Sequence, residues 1–401
     1  MNDLSASAGF TSRQDLVQEA ARLGRSFATC AAKRDHERLL PHAEIDEIRR
    51  SGILSARLPA PYGPGASILD LTRIVIEIAR GDSNIAQAIL PHLAFVEKLI
   101  LFGNAEDQAR LFPLIASGAL ITNAIAERNG KVVGELRTRL TDDGDGFRLQ
   151  GRKDYATGSL FAQLLYITGV RDDGSTLQVV VPADREGLVI NDDWDGFGQR
   201  LTSSGSVLLD NVRVEKHEVV HGSENAGKRN YFGASSQLQH ASLDTGMALA
   251  ALDDAIAFGR EKARPVTEAG VEKASQDPYV MVGIGELAAK TRASLAITER
   301  AARILDETAV DYVAGRATDD QLAETSIAIA EAKAVAVETC LKAGEMLFRV
   351  GGASSTLRHL SLDRHWRNAR THTLHDPVSY KYKAIGNYLL NGVKPPINAK
   401  Y

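Results

Sequence analysis

Two histidines three residues apart, His372 and His375, followed at once by Asp376 and Pro377, form the densest group of proton-handling side chains in this sequence. Imidazole titrates near pH ~6.5, so either ring can give or take a proton at neutral pH. A spacing of three puts both on nearly the same side of a helical turn, where His372 supports His375. Asp376 has two readings: it orients an imidazole, or it caps the last helix with Pro377 at the first helical position. The proline favours the cap. The same spacing would present two imidazoles to a metal, but no cysteine or further histidine cluster supplies a third and fourth ligand nearby, so no metal is expected. His92, directly after Pro91, is the other isolated histidine, and a satisfied core histidine is the plain reading of it. Gly351, Gly352, Ser354 and Ser355 make a small-residue turn whose amides and hydroxyls suit a phosphate, although paired glycines are also how helices stop.

The elements that must position these groups follow from periodicity. Residues 13–35 read as a helix, and Pro41 opens a second one that carries Ile45, Ile48 and Ile53. Leu71, Ile74, Val75 and Ile78 lie on one face of a helix over 70–79. Asp82 or Ser83 caps the next, which runs through Ile85, Ile89, Leu93 and Val96. Asn104, with Glu106 and Asp107 behind it, starts another. The texture changes near residue 119 to short apolar or alternating runs, such as GFRLQGRK, AQLLYITGV and TLQVVVP, separated by DDGDG and DDGS turns. These strands predict a small antiparallel barrel or sandwich ending with the run 204–214. From about 229 the helical period returns, with unbroken stretches over 279–314 and 320–350. Such lengths, far above the ~11–12-residue mean, point to a bundle or a subunit interface. Two shorter helices follow, over 358–370 and 376–391. The division is 1–118 helical, 119–222 β and 223–401 a helical bundle: an α+β chain, mostly α.

Composition narrows the partners. With 401 residues, 44% hydrophobic and 24% charged, the chain is an ordinary globular protein, and a net charge of −4 gives no reason to expect nucleic acid. No run of 18 apolar residues and no N-terminal signal core are present, so neither membrane nor export is expected. Cys30 and Cys340 read as two buried, reduced thiols, which fits the cytoplasm.

Several stretches carry a resemblance. ALITNAIAE (119–127), GRKDYATGS (151–159), TGMALAALDDAIAFGREKAR (245–264) and RVGGASST followed by LDRHWRNAR (349–370) occur in the order seen in the acyl-CoA dehydrogenase superfamily. The chain resembles that fold over nearly its whole length: an N-terminal helical domain, a middle β-barrel and a C-terminal four-helix bundle. Residues 367–392, with T-H-T-L-H-D-P-V reproduced without a gap, resemble more closely the flavin-dependent monooxygenases of the fold, the sulfur-acquisition oxidoreductases and dibenzothiophene monooxygenases.

A dehydrogenase of this fold needs a glutamate to take the α-proton of a thioester. The two places where the family puts it read here His375-Asp376-Pro377 and Ser235-Ser236-Gln237, and neither offers one. The resemblance therefore implies a reduced-flavin (FMNH2)-dependent monooxygenase that oxygenates a small organosulfur molecule with O2 through a flavin C4a-(hydro)peroxide. The alternative is an acyl-CoA dehydrogenase. His375 would handle the proton at the flavin, with His372 and His92 in support and Phe95 and Trp194 at the substrate pocket. Asn123, Thr157 and Ser159 would contact the flavin ring. Arg264 would reach the phosphate, usually in a neighbouring subunit, and Gly352, Ser354 and Ser355 would form a second phosphate turn. That turn lacks the aromatic and glutamine that seat an adenine, which points to FMN rather than FAD. No G-x-G-x-x-G lies between a strand and a helix, so the flavin would arrive reduced from a separate NAD(P)H-dependent reductase. The family's assembly implies a homotetramer.

Overall fold

A computed structural model describes residues 13–401 apart from 129, 131, 133, 223–226 and 399. The N-terminal residues 1–12, part of the stretch read as lacking a signal core, and the domain boundary set at residue 223 lie outside the described residues. Five helices come first: α1 (Arg13–Glu37), α2 (His42–Arg50), α3 (Ile68–Gly81), α4 (Ser83–Phe102) and α5 (Ala105–Ala116). Ile53 falls outside α2, in a short 3-10 turn after Gly52, whose positive φ of 82° ends the helix. Local chemistry sets most starts. Ser67 and Asp70 form a reciprocal capping box on α3, Asp82 accepts from the Asn84 amide, and Asn104 accepts from the Asp107 amide, each cap being worth about 1 kcal/mol. The α3 stripe of Leu71, Ile74, Val75 and Ile78 is buried against α1 and the bundle. On α1 the buried line is Leu16, Ala20, Leu23, Phe27 and Ala31. Cys30 lies off that line and is exposed, so only Cys340 is a buried thiol.

Eight strands follow: β1 (Ile121–Ala124), β2 (Arg139–Asp143), β3 (Gly146–Lys153), β4 (Leu164–Val170), β5 (Thr176–Pro182), β6 (Leu188–Ile190), β7 (Val207–Glu215) and β8 (Val219–Val220). They hydrogen-bond in the order β6-β7-β3-β2-β4-β5-β8, with β1 added parallel to β4. Among the described residues the sheet's hydrogen-bonded path runs from β6 to β8, and these two strands do not pair with each other. Its inward residues, among them Leu140, Leu149, Ile167, Val179 and Val212, form their own apolar core.

The last part is helical: α6 (Phe232–Glu261), α7 (Pro278–Val313), α8 (Asp319–Gly351), α9 (Arg364–His372) and α10 (Ser379–Asn391). α6, α7 and α8 pack closely because their facing residues are small, and hydroxyls bridge them, Thr245 to Ser294 at 3.1 Å and Thr308 to Thr325 at 2.7 Å. α9 is shorter than its sequence pattern predicts, because residues 353–363 form 3-10 and hydrogen-bonded turns, and α10 begins at Ser379 and not at 376. Among the described residues α4 alone is long and apolar enough to cross a membrane by length and composition, and 61% of its apolar window is buried inside the fold.

Candidate functional site

α6, α8 and α9 bring together polar side chains that are far apart in sequence. Gln237, His240 and Asp244 fall on one face of α6 by their spacing of three and four. Lys333 of α8 donates to Asp244 Oδ2 at 2.7 Å, and His372 Nδ1 of α9 sits 2.7 Å from Asp244 Oδ1. His372 Nε2 in turn lies 2.9 Å from His240 Nδ1. The His375 ring stacks on His240, with centroids 4.7 Å apart and planes 29° from parallel. Access grades outward: Asp244 is 0% and His372 4% exposed, His240 is half-buried and His375 is open to solvent.

Burial acts on these groups in opposite directions. It alone would raise the Asp244 carboxyl, but Lys333 and His372 outweigh it and hold Asp244 below the ordinary carboxylate range. Burial pushes His372 and His240 down, more strongly than the nearby carboxylates pull them up, so both are neutral at pH 7. Buried Cys340, beside Asp244, is pushed up and stays a thiol.

Asp376 does not cap a helix. α10 begins three residues later, at Ser379, without a side-chain cap, and the Asp376 carboxylate turns into the site instead. It accepts from Gln237 Nε2 at 2.8 Å, pairs with Lys400 at 3.0 Å and lies 3.7 Å from His375 Nδ1. Burial would raise its carboxyl, but His375, Lys400 and Gln237 together hold it far below the usual range.

A second polar region lies where α4, two loops and α9 meet. Thr157 and Ser204 share a 2.8 Å hydrogen bond, Ser204 and Thr202 one of 2.7 Å, and Ser159 donates weakly to the Ser203 carbonyl at 3.4 Å. The Asn368 side chain of α9 accepts from the Gln199 amide at 2.7 Å and donates to Ser83 of α4 at 3.1 Å. Gln199 and Ser203, neither of them glycine, take positive φ of 53° and 50°, conformations that persist only when the surroundings over-determine them and that cluster at ligand sites. Gly158 must be glycine: its φ is 79°, and a Cβ there would come within 2.3 Å of the Ala88 carbonyl oxygen.

Around this region buried polar atoms lack partners in the chain. Both ends of the Gln199 amide, Gln87 Oε1 of α4, Thr371 Oγ1 and Arg370 Nε of α9, and Gln237 Oε1 of α6 are buried without a hydrogen bond. A buried donor or acceptor left unmade costs about 1–3 kcal/mol, so a region holding several fits a polar ligand that would satisfy them.

The remaining candidates scatter. His92 is fully buried, and both its ring nitrogens are engaged by backbone: Nδ1 accepts from the Ile121 amide at 3.0 Å, and Nε2 lies 3.0 Å from the Leu54 carbonyl, to which it donates. It ties α4 to β1 and to the turn after α2. Phe95 is buried against Tyr166, with centroids 5.0 Å apart. Asn123, half-buried on β1, has no side-chain hydrogen bond among the described residues. Trp194 is half-buried and donates to the Gln199 carbonyl at 2.8 Å, which places it at the strained loop. Arg264 is exposed, three residues beyond the end of α6. The glycine turn after α8 folds on itself: Gly352 takes φ 64° and ψ −165°, and the buried Ser355 hydroxyl donates to the Gly352 carbonyl at 2.6 Å, with Ser354 half-buried beside it.

Sequence reasoning missed His240, Asp244, Lys333 and Gln199. One signal was available: Asp244 is a lone charge inside an otherwise small, largely apolar helical run, and a charge there needs a partner.

Models of the acyl-CoA dehydrogenase N-terminal and C-terminal domains match residues 11–119 and 238–380. Fold and site thus define a protein of acyl-CoA dehydrogenase architecture. A dibenzothiophene monooxygenase of Rhodococcus erythropolis is 34% identical over 397 residues, covering 95% of this chain and 94% of the relative. A probable FMNH2-dependent monooxygenase, SfnC, of Pseudomonas putida is 32% identical over 94% of this chain and 95% of its own. The crystal structure of FMN-bound TdsC from Paenibacillus sp. A11-2 superposes with a TM-score of 0.90 at 31% identity, covering 96% of this chain and all of that one. The chain belongs to the flavin-dependent monooxygenase branch of the acyl-CoA dehydrogenase family.

Proposed function

We propose that this protein is the oxygenase of a two-component system: it uses reduced FMN from a separate NAD(P)H-dependent reductase to oxygenate a small organosulfur compound with O2. One observation carries the reading. At the turn after α9, where desaturation would need a carboxylate base, the exposed side chain is His375, and Asp376 is turned inward onto Gln237 and Lys400. A carboxyl held that low is a poor base for an α-proton. The buried unpartnered atoms of Gln199, Gln87, Thr371 and Arg370 support a flavin in this region, as does the hydroxyl-rich edge of Thr157 and Ser159. Bound there, FMN would supply the two electrons and the centre that reacts with oxygen. The chain's own task is to hold the ring, exclude water and move protons through the histidine group. Asn123 and Trp194 line the ring and substrate sides in this reading, and exposed Arg264 is free to reach a phosphate on a neighbouring subunit. The names of the relatives support organosulfur chemistry and FMN over FAD.

Exposed apolar side chains on α7 and α10, among them Tyr279, Val310, Val313, Leu389 and Leu390, support a homo-oligomer, and the family's tetramer is the form we propose, in the cytoplasm. The test is oxygen uptake and product formation with NADH, FMN, a flavin reductase and dibenzothiophene, a dialkyl sulfone or methanesulfinate. We expect a sulfur-oxygenated product or C–S cleavage only when the reductase is present. Bleaching of bound flavin by acyl-CoA without reductase would instead assign a dehydrogenase.

A further inference from the structure

The hydrogen bonds of the histidine group have a direction that follows from Asp244. An ionised carboxylate only accepts, so the proton between Asp244 and His372 belongs to His372 Nδ1. His372 is neutral, so its Nε2 is bare and must accept, and the proton of the 2.9 Å bond belongs to His240 Nδ1. That leaves Nε2 of His240 bare, with no hydrogen-bond partner among the described residues. Lys333 fixes the start of the series, because its ammonium only donates and so holds Asp244 as an acceptor.

We propose that Asp244, backed by Lys333, is the positioning residue of this site: through His372 it fixes the tautomer of His240 and makes Nε2 of His240 the site's proton acceptor, beneath the stacked ring of His375. Taking up a proton at that nitrogen balances without a further reactant. As Nε2 gains a proton, His240 becomes the cation, its Nδ1–H still donates to His372 Nε2, and Asp244, paired with Lys333, stays ionised. One proton enters and one positive charge is gained, facing the ionised Asp244 through His372; release from the same nitrogen gives it back. This deepens the monooxygenase reading and rests on it for the use made of the proton, but the tautomers are a property of the chain alone.

The test is Asp244→Asn, with Asp244→Asn/Lys333→Met as its partner. In the single variant Lys333 can be met only by the asparagine oxygen. The amide NH2 then faces His372 Nδ1, and the whole series reverses: His372 and His240 both become Nε2–H. Removing the ammonium in the double variant frees the asparagine oxygen to return to His372 and restores the original direction. Selective 15N-histidine spectra of the apoprotein, assigned with His240→Gln and His372→Gln, read this without flavin or substrate. We expect Nδ1–H for both rings in the wild type and the double variant, and Nε2–H in the single variant. Product formed per reduced FMN is expected to fall on the order of a hundredfold in the single variant, the scale of general acid–base catalysis, and to recover at least about tenfold in the double. Nε2–H rings in the wild type overturn the proposal whatever the enzyme does. Correct tautomers with an unchanged product yield in the single variant overturn it while leaving the monooxygenase reading intact, and a wild type without oxygenase activity sinks that reading but not the tautomer assignment. If the single variant fails to fold, the wild-type spectrum still decides: Nδ1–H at both rings is expected, and Nε2–H overturns the proposal.

Discussion

Replacing His92 with leucine separates a structural histidine from a chemical one. The ring holds two backbone groups that nothing else satisfies, the Ile121 amide and the Leu54 carbonyl. Leucine fills much of the space but leaves both unmade, at about 1–3 kcal/mol each, so the variant should lose about 2–6 kcal/mol of stability at pH 7.5. Burial also pushes the imidazole down from 6.5 to about 4. The unfolded chain therefore binds a proton near pH 6.5 while the folded chain refuses it until about pH 4. His92 contributes its full stability above pH 6.5 and loses it as pH falls; by pH 5 the loss is about 2 kcal/mol, and below pH 4 about 3 kcal/mol. Urea unfolding followed by circular dichroism at pH 7.5 and pH 5 reads both effects. The variant should be less stable at pH 7.5, and its difference between the two pH values should be smaller than the wild type's by about 2 kcal/mol. Unchanged stability and unchanged acid dependence, combined with lost turnover, would refute the argument and return His92 to the chemistry.

His375→Ala removes the exposed ring while leaving Gln237, Lys400 and Asp376 in place. It should keep its affinity for reduced FMN but release hydrogen peroxide in place of product, seen as a product-to-peroxide ratio lowered at least about tenfold. Lys153, 0% exposed, is held by Glu127 at 2.6 Å. Glu127→Gln should cost about 3–5 kcal/mol by stranding the ammonium, and Glu127→Leu/Lys153→Met should restore most of that in urea unfolding.

Legibility in the sequence followed the range of the forces. Helices set by their own caps and stripes were readable: Asp82 and Asn104 begin α4 and α5 as local chemistry requires, and the two long helices over 278–313 and 319–351 fall within a residue or so of their predicted limits. The order of helices, strands and bundle was readable for the same reason. Asp376 was misread because Asp-Pro is a strong local start signal, whereas its actual partners, Gln237 and Lys400, come from other elements. The pairing of His240 with His372 spans 132 residues, and nothing in a helix written as bundle core announces it. His92 looked equivocal because the two backbone groups it serves, on Leu54 and Ile121, carry no side-chain signature at all. The strand order β6-β7-β3-β2-β4-β5-β8 likewise depends on pairings that alternation along any one strand does not specify.

The short helix α9 has a consequence for when the site exists. Nine residues are too few to be helical on their own in water. What holds α9 is a set of distant fasteners: Arg367 to Asp35 at 2.5 Å, Arg364 and His365 to Asp254 at 2.6 and 2.8 Å, Asn368 to Ser83 and the Gln199 amide, and His372 to Asp244. It behaves as a clasp that joins the first helix, the strained loop and the bundle. Detaching it exposes little apolar surface compared with melting the bundle, so it is a natural unit of local opening below the global unfolding free energy. A ligand that binds only the clasped form would slow that opening in proportion to its occupancy. Hydrogen exchange at the amides of 364–372 would then report when the site is loaded, well before any change in overall stability.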